Sequence, residues 1–305
     1  MVSLSRPALE GSVAVRDGRR LSFAEYGPRN GPTFLWMHGT PGGRRQIPMD
    51  VRRYATEAGV RVIGVDRPGI GSSTPHLYPE VLDFAEDLRH LLDTLDVENA
   101  SLVGLSGGGP YALAGAVALP DRIHSVGVLG GVAPTRGPDA VHDGPIQLAV
   151  QLAPMIAALR RPLGAALAPV IRSVKPLAGS ALEAYAYFQP AGDKALLAIP
   201  EFKAMFLDDL LNGSRFQISA PLADLVLFTR EWGFHLSDVD TRVSWWHGDE
   251  DHIVPLHHGL HVVDRLPEAT MTVMPGESHL GGLAVGVDAV SSLLPPEVLV
   301  TELAR

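Results

Sequence analysis

The sequence predicts an α/β fold: a mostly parallel central sheet flanked by helices, with an inserted helical cap. Three observations carry this. Short apolar runs alternate with amphipathic helical patterns between Thr33 and Leu129. A strand pattern, a glycine-rich turn and a helix pattern follow one another without a break from Ala100 to Leu119. The strand pattern then disappears over 133–240 and resumes at Val243. Alternation of this kind produces a sheet covered on both faces, because each crossover helix must bury its apolar stripe against the strands.

The elements read in order. Gly11 to Tyr26 is a hairpin with Asp17-Gly18 at its turn. Thr33 to Met37 is a buried strand, Gly43 to Gly59 a helix, and Val60 to Val65 a second strand. Pro79 to Leu95 is an amphipathic helix with Leu82, Leu88, Leu91, Leu92 and Leu95 on one face. Ala100 to Val103 is a strand, and Pro110 to Leu119 a helix with proline in its first turn. Ser125 to Leu129 is another strand. Residues 133–240 are rich in Ala, Leu and Pro, and Pro154, Pro162, Pro169, Pro176 and Pro190 are expected to break them into short helices. Strands return at Val243–Trp246 and Thr270–Met274, and a last helix starts near Leu283. The domain boundaries that follow are a core of 1–132 with 241–305 and a cap of 133–240.

Composition narrows the function classes. The 305 residues are 46% hydrophobic and 19% charged, which suits a globular domain. A net charge of −9 and the lack of a basic stripe argue against a nucleic-acid partner. The absence of cysteine removes disulfides, thiolate metal sites and cysteine nucleophiles. Met1 to Arg20 shows no apolar signal core and no run is long enough to span a bilayer, so a cytoplasmic location without stable membrane insertion is expected. The apolar 150s to 170s could lie on a membrane surface; covering a hydrophobic substrate pocket is the preferred reading.

The chemistry centres on Gly104-Leu105-Ser106-Gly107-Gly108, which fits the G-x-S-x-G elbow that presents a serine on a strained strand-to-helix turn. A phosphate-binding loop is the rival for Gly107-Gly108-Gly109, but neither G-x-x-x-x-G-K-[ST] nor G-x-G-x-x-G with a following acid is present. A serine hydroxyl needs a base, an acid to orient that base, and donors for the developing oxyanion. In the strand–elbow–helix arrangement the partners follow in the order serine, acid, histidine. After the strand ending at Trp246, Asp249, Glu250 and Asp251 all compete for the acid. After the strand ending at Met274, His279 is the histidine in position to be the base. The N–H of Gly107 is one candidate oxyanion donor, and the loop His38-Gly39-Thr40-Pro41-Gly42-Gly43 supplies the other, with Thr40 the candidate. The cluster His257-His258-x-x-His261 invites a metal, but no companion carboxylate motif accompanies it in sequence, so no metal and no cofactor are expected.

Together these landmarks resemble the α/β-hydrolase superfamily, in particular its capped branch of esterases, proline iminopeptidases and their non-peptidase relatives. The resemblance rests on His38 to Gly43, Asp66-Arg67-Pro68-Gly69-Ile70-Gly71-Ser72-Ser73, Gly104 to Gly108, His247-Gly248 to Asp251 with Val254-Pro255, and Gly276 to His279. It implies the α/β-hydrolase fold, Asp251 as the acid, and Thr40 as the second oxyanion donor. Ser106 argues against dehalogenases and epoxide hydrolases, which use aspartate. Two features depart from iminopeptidases: a glycine follows the serine, and the oxyanion loop carries Thr40. Iminopeptidases also need cap carboxylates, for which Glu183, Asp193, Glu201, Asp208 and Asp209 are available. The expectation is a carboxylic-ester hydrolase acting on a small, apolar molecule. Amide or aminoacyl hydrolysis, a cofactor-free lyase or perhydrolase, and a slow-turnover receptor remain alternatives. Oligomeric state is open, a homodimer included.

Overall fold

A computed structural model of the chain describes residues 4–213 and 219–294. Its sheet has eight strands: β1 (Leu9–Ala14), β2 (Arg20–Tyr26), β3 (Thr33–Met37), β4 (Arg61–Val65), β5 (Ala100–Leu105), β6 (Ile123–Leu129), β7 (Val243–Gly248) and β8 (Ala269–Met274). Their spatial order is β1-β2-β4-β3-β5-β6-β7-β8. β2 runs antiparallel to both β1 and β4, and the remaining pairs are parallel.

Alternation along the central strands feeds two cores. Leu35, Met37, Ile63 and Leu102 face one layer, with α2 (Phe84–Thr94), α3 (Gly109–Ala118) and α9 (Leu256–Val263) packed over it. Phe34, Trp36, Val62 and Val103 face the other, covered by α1 (Met49–Glu57) and α11 (Gly286–Ser292), with the short α10 (Gly281–Ala284) beside them. A period of two, with both faces apolar, is what a sheet buried on both sides requires.

Between the neighbouring strands β6 and β7 the chain leaves the sheet for five helices: α4 (Ile146–Val174), α5 (Ala178–Tyr187), α6 (Ala191–Ala198), α7 (Pro200–Gly213) and α8 (Ser219–Phe228). No strand interrupts them among the described residues, and no described helix is long and apolar enough to cross a membrane.

Three expectations need correction. Pro154, Pro162 and Pro169 do not end helices; all three lie inside the single 29-residue α4. Each proline removes only one backbone hydrogen bond, and the Ala- and Leu-rich turns between them have high helix propensity. Pro176 and Pro190 do punctuate: Pro176 falls in a tight turn after α4, and Pro190 caps α6. The helix expected over Gly43–Gly59 begins only at Met49. Pro48 is extended and disfavours helix in the residue before it, so 43–48 stays a loop. The helix expected from Leu283 breaks into α10 and α11 before residue 294, and the rest of that expectation lies outside the described residues.

Candidate active site

β5 ends at Leu105 and α3 starts at Gly109, so Ser106 stands in the sharp turn between them. Its φ is +50°, a left-handed conformation that strains any residue with a Cβ. The flanking glycines are required by space. A Cβ on Gly104 would lie 2.7 Å from the Gly108 carbonyl oxygen, and one on Gly108 would lie 2.1 Å from that of Met37. The elbow therefore folds tightly against the end of β3 and turns the Ser106 hydroxyl toward the loop after β8.

His279 meets it there. The Ser106 Oγ lies 2.8 Å from His279 Nε2, and His279 Nδ1 lies 2.7 Å from Asp251 Oδ2. Of the three competing acids, Asp251 is the one on the imidazole. Asp249 instead accepts a bond from the Gly276 N–H at 2.7 Å, tying the loop after β7 to the loop after β8. The second oxygen of Asp251 accepts the N–H groups of Ile253 and Val254 at 2.8 and 2.9 Å. Burial would raise the Asp251 pKa, but the hydrogen bond and charge of His279 and the two backbone N–H groups outweigh it and hold the carboxyl below its usual range. An ionised Asp251 fixes His279 with its proton on Nδ1 and leaves Nε2 free to accept the serine proton.

His247, at the end of β7, supports that loop and was not singled out in the sequence for this role. Its Nδ1 accepts the Trp245 indole N–H at 3.1 Å, and its Nε2 donates to the Val254 carbonyl at 2.7 Å. Burial keeps its pKa low, so it acts as a neutral brace 3.6 Å from Asp251.

On the other side of Ser106 lies the loop after β3. Thr40 and Gly107 are neighbours: a Cβ on Gly107 would stand 2.6 Å from the Thr40 Oγ1. The loop is held from several directions. Gln46 Oε1 accepts the Gly39 N–H at 2.6 Å. Asp209, on α7, accepts the Gly43 N–H at 2.9 Å, and its burial pushes its pKa well up. Arg67, fully buried after β4, donates to the carbonyls of His38 and Gly39 and, at 2.7 Å, to the Thr40 hydroxyl. The same guanidinium pairs with Asp224 of α8 at 2.7 Å and lies over the Tyr111 ring, 4.9 Å from its centre. Asp224 also accepts the Thr40 hydroxyl at 2.8 Å and the Tyr111 hydroxyl at 2.9 Å. His38 is kept neutral by burial and by the Arg67 charge, with its Nδ1 on the Gly39 carbonyl. Arg67 lay inside a recognised motif, but nothing in the sequence assigned Gln46, Asp209 or Asp224 to this loop; the last two come from the helical insertion.

A cavity of about 770 Å³ opens beside Ser106. Thr40, Pro41 and Ser106 form its floor, and Leu182, Phe206, Leu207 and Leu283 are among the side chains of its walls. Among the described lining residues the only ionisable groups are His279 and Tyr185. The carboxylates an iminopeptidase would need are elsewhere: Glu183 pairs with Lys203, Glu201 with Arg53, Asp208 with Arg45, and Asp193 and Asp209 are buried outside the lining.

Comparison with known proteins agrees with this architecture. A family model described as the alpha/beta hydrolase fold matches residues 32–154. The chain is 28% identical over 275 residues to a 2-hydroxy-6-oxononadienedioate/2-hydroxy-6-oxononatrienedioate hydrolase of Burkholderia vietnamiensis, covering 87% of each chain. It is 34% identical over 111 residues to the proline iminopeptidase of Xanthomonas citri, covering 35% of each. The chain spans less than half the length of the first curated relatives it matches. The solved esterase RhEst1 from Rhodococcus sp. ECU1013 superposes with a TM-score of 0.66 at 22% identity, covering 93% of this chain and 99% of that one. With the sheet order and the strand–elbow–helix turn, these matches show that the chain has the α/β-hydrolase fold.

Proposed function

We propose that the protein is a serine hydrolase that cleaves carboxylic esters of small apolar acids through an acyl-enzyme. The observation that carries this reading is the continuous chain Ser106–His279–Asp251, with links of 2.8 and 2.7 Å, opening onto an apolar cavity. In this reading 133–240 is a cap over the acyl site, and no cofactor takes part.

His279 Nε2 takes the proton of Ser106 as Oγ attacks the ester carbonyl. Asp251 stabilises the imidazolium that forms. The carbonyl oxygen becomes an oxyanion facing the N–H groups of Gly107 and Thr40, donors that need no reorganisation because their loop is fixed by Gln46, Arg67 and Asp209. His279 then protonates the departing alkoxide, which leaves as the alcohol. Water enters, gives a proton to the same nitrogen and attacks the acyl carbonyl; as the acyl–Oγ bond breaks, His279 returns that proton to Ser106 Oγ and the acid leaves.

The lack of a cap carboxylate in the described lining favours esters over aminoacyl substrates, whose ammonium would need one. The dienoate and dienedioate named for several relatives are anions, and no described lysine or arginine lines the cavity to receive them. The test is a substrate panel of p-nitrophenyl esters against prolyl arylamides. The proposal expects esters to turn over with kcat/KM at least about 10²-fold above the arylamide; the reverse preference would overturn it.

A further inference from the structure

The histidine cluster that lacked a partner in the sequence acquires one in the fold. Asp143 lies in the segment leading from β6 into α4, and His257 and His258 are adjacent on α9. The two carboxylate oxygens of Asp143 lie 2.9 Å from His257 Nε2 and 2.9 Å from His258 Nε2. The three ligand atoms all lie within 4.8 Å of one another.

We propose that Asp143, His257 and His258 form a site for a divalent transition-metal ion of the zinc type, which pins the start of the helical insertion to α9. The donor set, two imidazoles and a carboxylate, is one that zinc accepts with water completing a tetrahedron. Zinc–ligand bonds of about 2.0–2.2 Å place tetrahedral donors about 3.3 Å apart. Each imidazole nitrogen lies 2.9 Å from one of the two Asp143 oxygens and the three ligand atoms lie within 4.8 Å of one another, so side-chain rotations of about an ångström bring them to that spacing.

The surroundings prepare the donors. His258 is buried, and its ring stands edge-on to that of His257 with centres 4.6 Å apart. Gly144, at φ +77°, turns the chain directly beneath His258; a Cβ there would reach within 3.0 Å of the ring. One turn along α9, His261 bonds the Asp139 carbonyl at 2.9 Å and fixes the same two segments together. Burial lowers the His258 pKa, and the hydrogen bonds from His258 and His257 hold Asp143 below the usual carboxylate range. With the metal on Nε2, the remaining imidazole proton of each histidine resides on Nδ1. His257 and Asp143 are exposed, which leaves the outer coordination positions open to water.

The site is remote in function from Ser106 but close to its acid. α9 follows directly on the loop that carries Asp251, so a metal there would stiffen the junction between the insertion and that loop.

The test uses the full, untagged chain after chelator treatment, titrated with Zn²⁺ by calorimetry and with Co²⁺ by visible absorption. The proposal expects one equivalent of Zn²⁺ at micromolar or tighter affinity and intense tetrahedral Co²⁺ bands. Asp143→Asn and His257→Ala, both at exposed positions, should each weaken Zn²⁺ binding by about tenfold or more and erase the bands while leaving the far-ultraviolet dichroism unchanged. Failure of the wild-type chain to bind overturns the proposal. So does undiminished binding in both variants, which would put the metal at other histidines such as His279.

Discussion

Arg67 and Asp224 form a buried ion pair, 2.7 Å apart, that joins the loop after β4 to a helix of the insertion. The pair also grips the residues that face Ser106: Arg67 holds the Gly39 carbonyl, and both partners bond the Thr40 hydroxyl. The helices between β6 and β7 thus help to shape the loop after β3 that faces Ser106, as well as lining the cavity.

Removing one partner from such a pair leaves an uncompensated buried charge. Asp224→Ala should cost about 3–5 kcal/mol of stability. It should also lower kcat by up to about 10²-fold with little change in KM, because the Thr40 N–H is displaced from the developing charge. Thermal melts and steady-state kinetics on an aryl ester check both effects. Arg67→Lys should not restore the loop, because a single ammonium cannot reach two carbonyls, a hydroxyl and a carboxylate at once.

The choice among the three acids can be separated by substitution. Asp251→Asn should lower kcat by about 10⁴-fold by misorienting the His279 tautomer. Glu250→Gln should leave kcat within a few-fold of the parent. Asp249→Ala removes only a loop contact to the Gly276 N–H and should act mainly on stability. A large kcat loss confined to Glu250 or Asp249 would contradict the assignment.

Acyl preference should follow the cavity. Each methylene buried against the Leu182, Phe206, Leu207 and Leu283 walls contributes about 0.8 kcal/mol, so kcat/KM should rise about fourfold per added CH₂ until the space is filled. Ala181→Phe narrows that space and should move the optimum to shorter acids. A profile that is flat with chain length in the parent would argue that the acyl group binds elsewhere.

Asp193 gives stability a pH dependence. Burial, with Asp251 and Glu277 nearby, pushes its pKa from 3.8 up to about 6, against the opposing pull of His279 and the Leu280 N–H. Between those values the folded chain keeps a proton that the unfolded chain has lost. Stability therefore falls as pH rises from about 4 to about 6, and above that the penalty is constant. Asp193→Asn should remove this slope and stabilise the protein above pH 6 by up to about 3 kcal/mol, with no gain below pH 4. Chemical denaturation at pH 4 and pH 8 measures the difference.

The parts of this arrangement that are local in sequence were legible there. The Gly104–Gly108 elbow, the strands around it and the position of His279 follow from turn sterics, from short apolar runs and from the chain order serine, acid, histidine. Asp251 needed the resemblance, because Asp249 and Glu250 stand equally close in the chain. The supports from the insertion were invisible: Asp209 and Asp224 lie 166 and 184 residues from Gly43 and Thr40. Nothing in an Ala- and Leu-rich helix shows which acid will point inward. The prolines of α4 misled for a related reason, since their local cost was outweighed by the propensity of the turns around them.

The central claim is that Ser106 is a nucleophile activated by His279. Fluorophosphonate labelling of the folded protein, mapped by peptide mass spectrometry, tests it most directly. The account predicts stoichiometric label on the peptide containing Ser106, none in Ser106→Ala, and labelling slowed by orders of magnitude in His279→Ala. Label on another residue, or full ester turnover in Ser106→Ala, would contradict it.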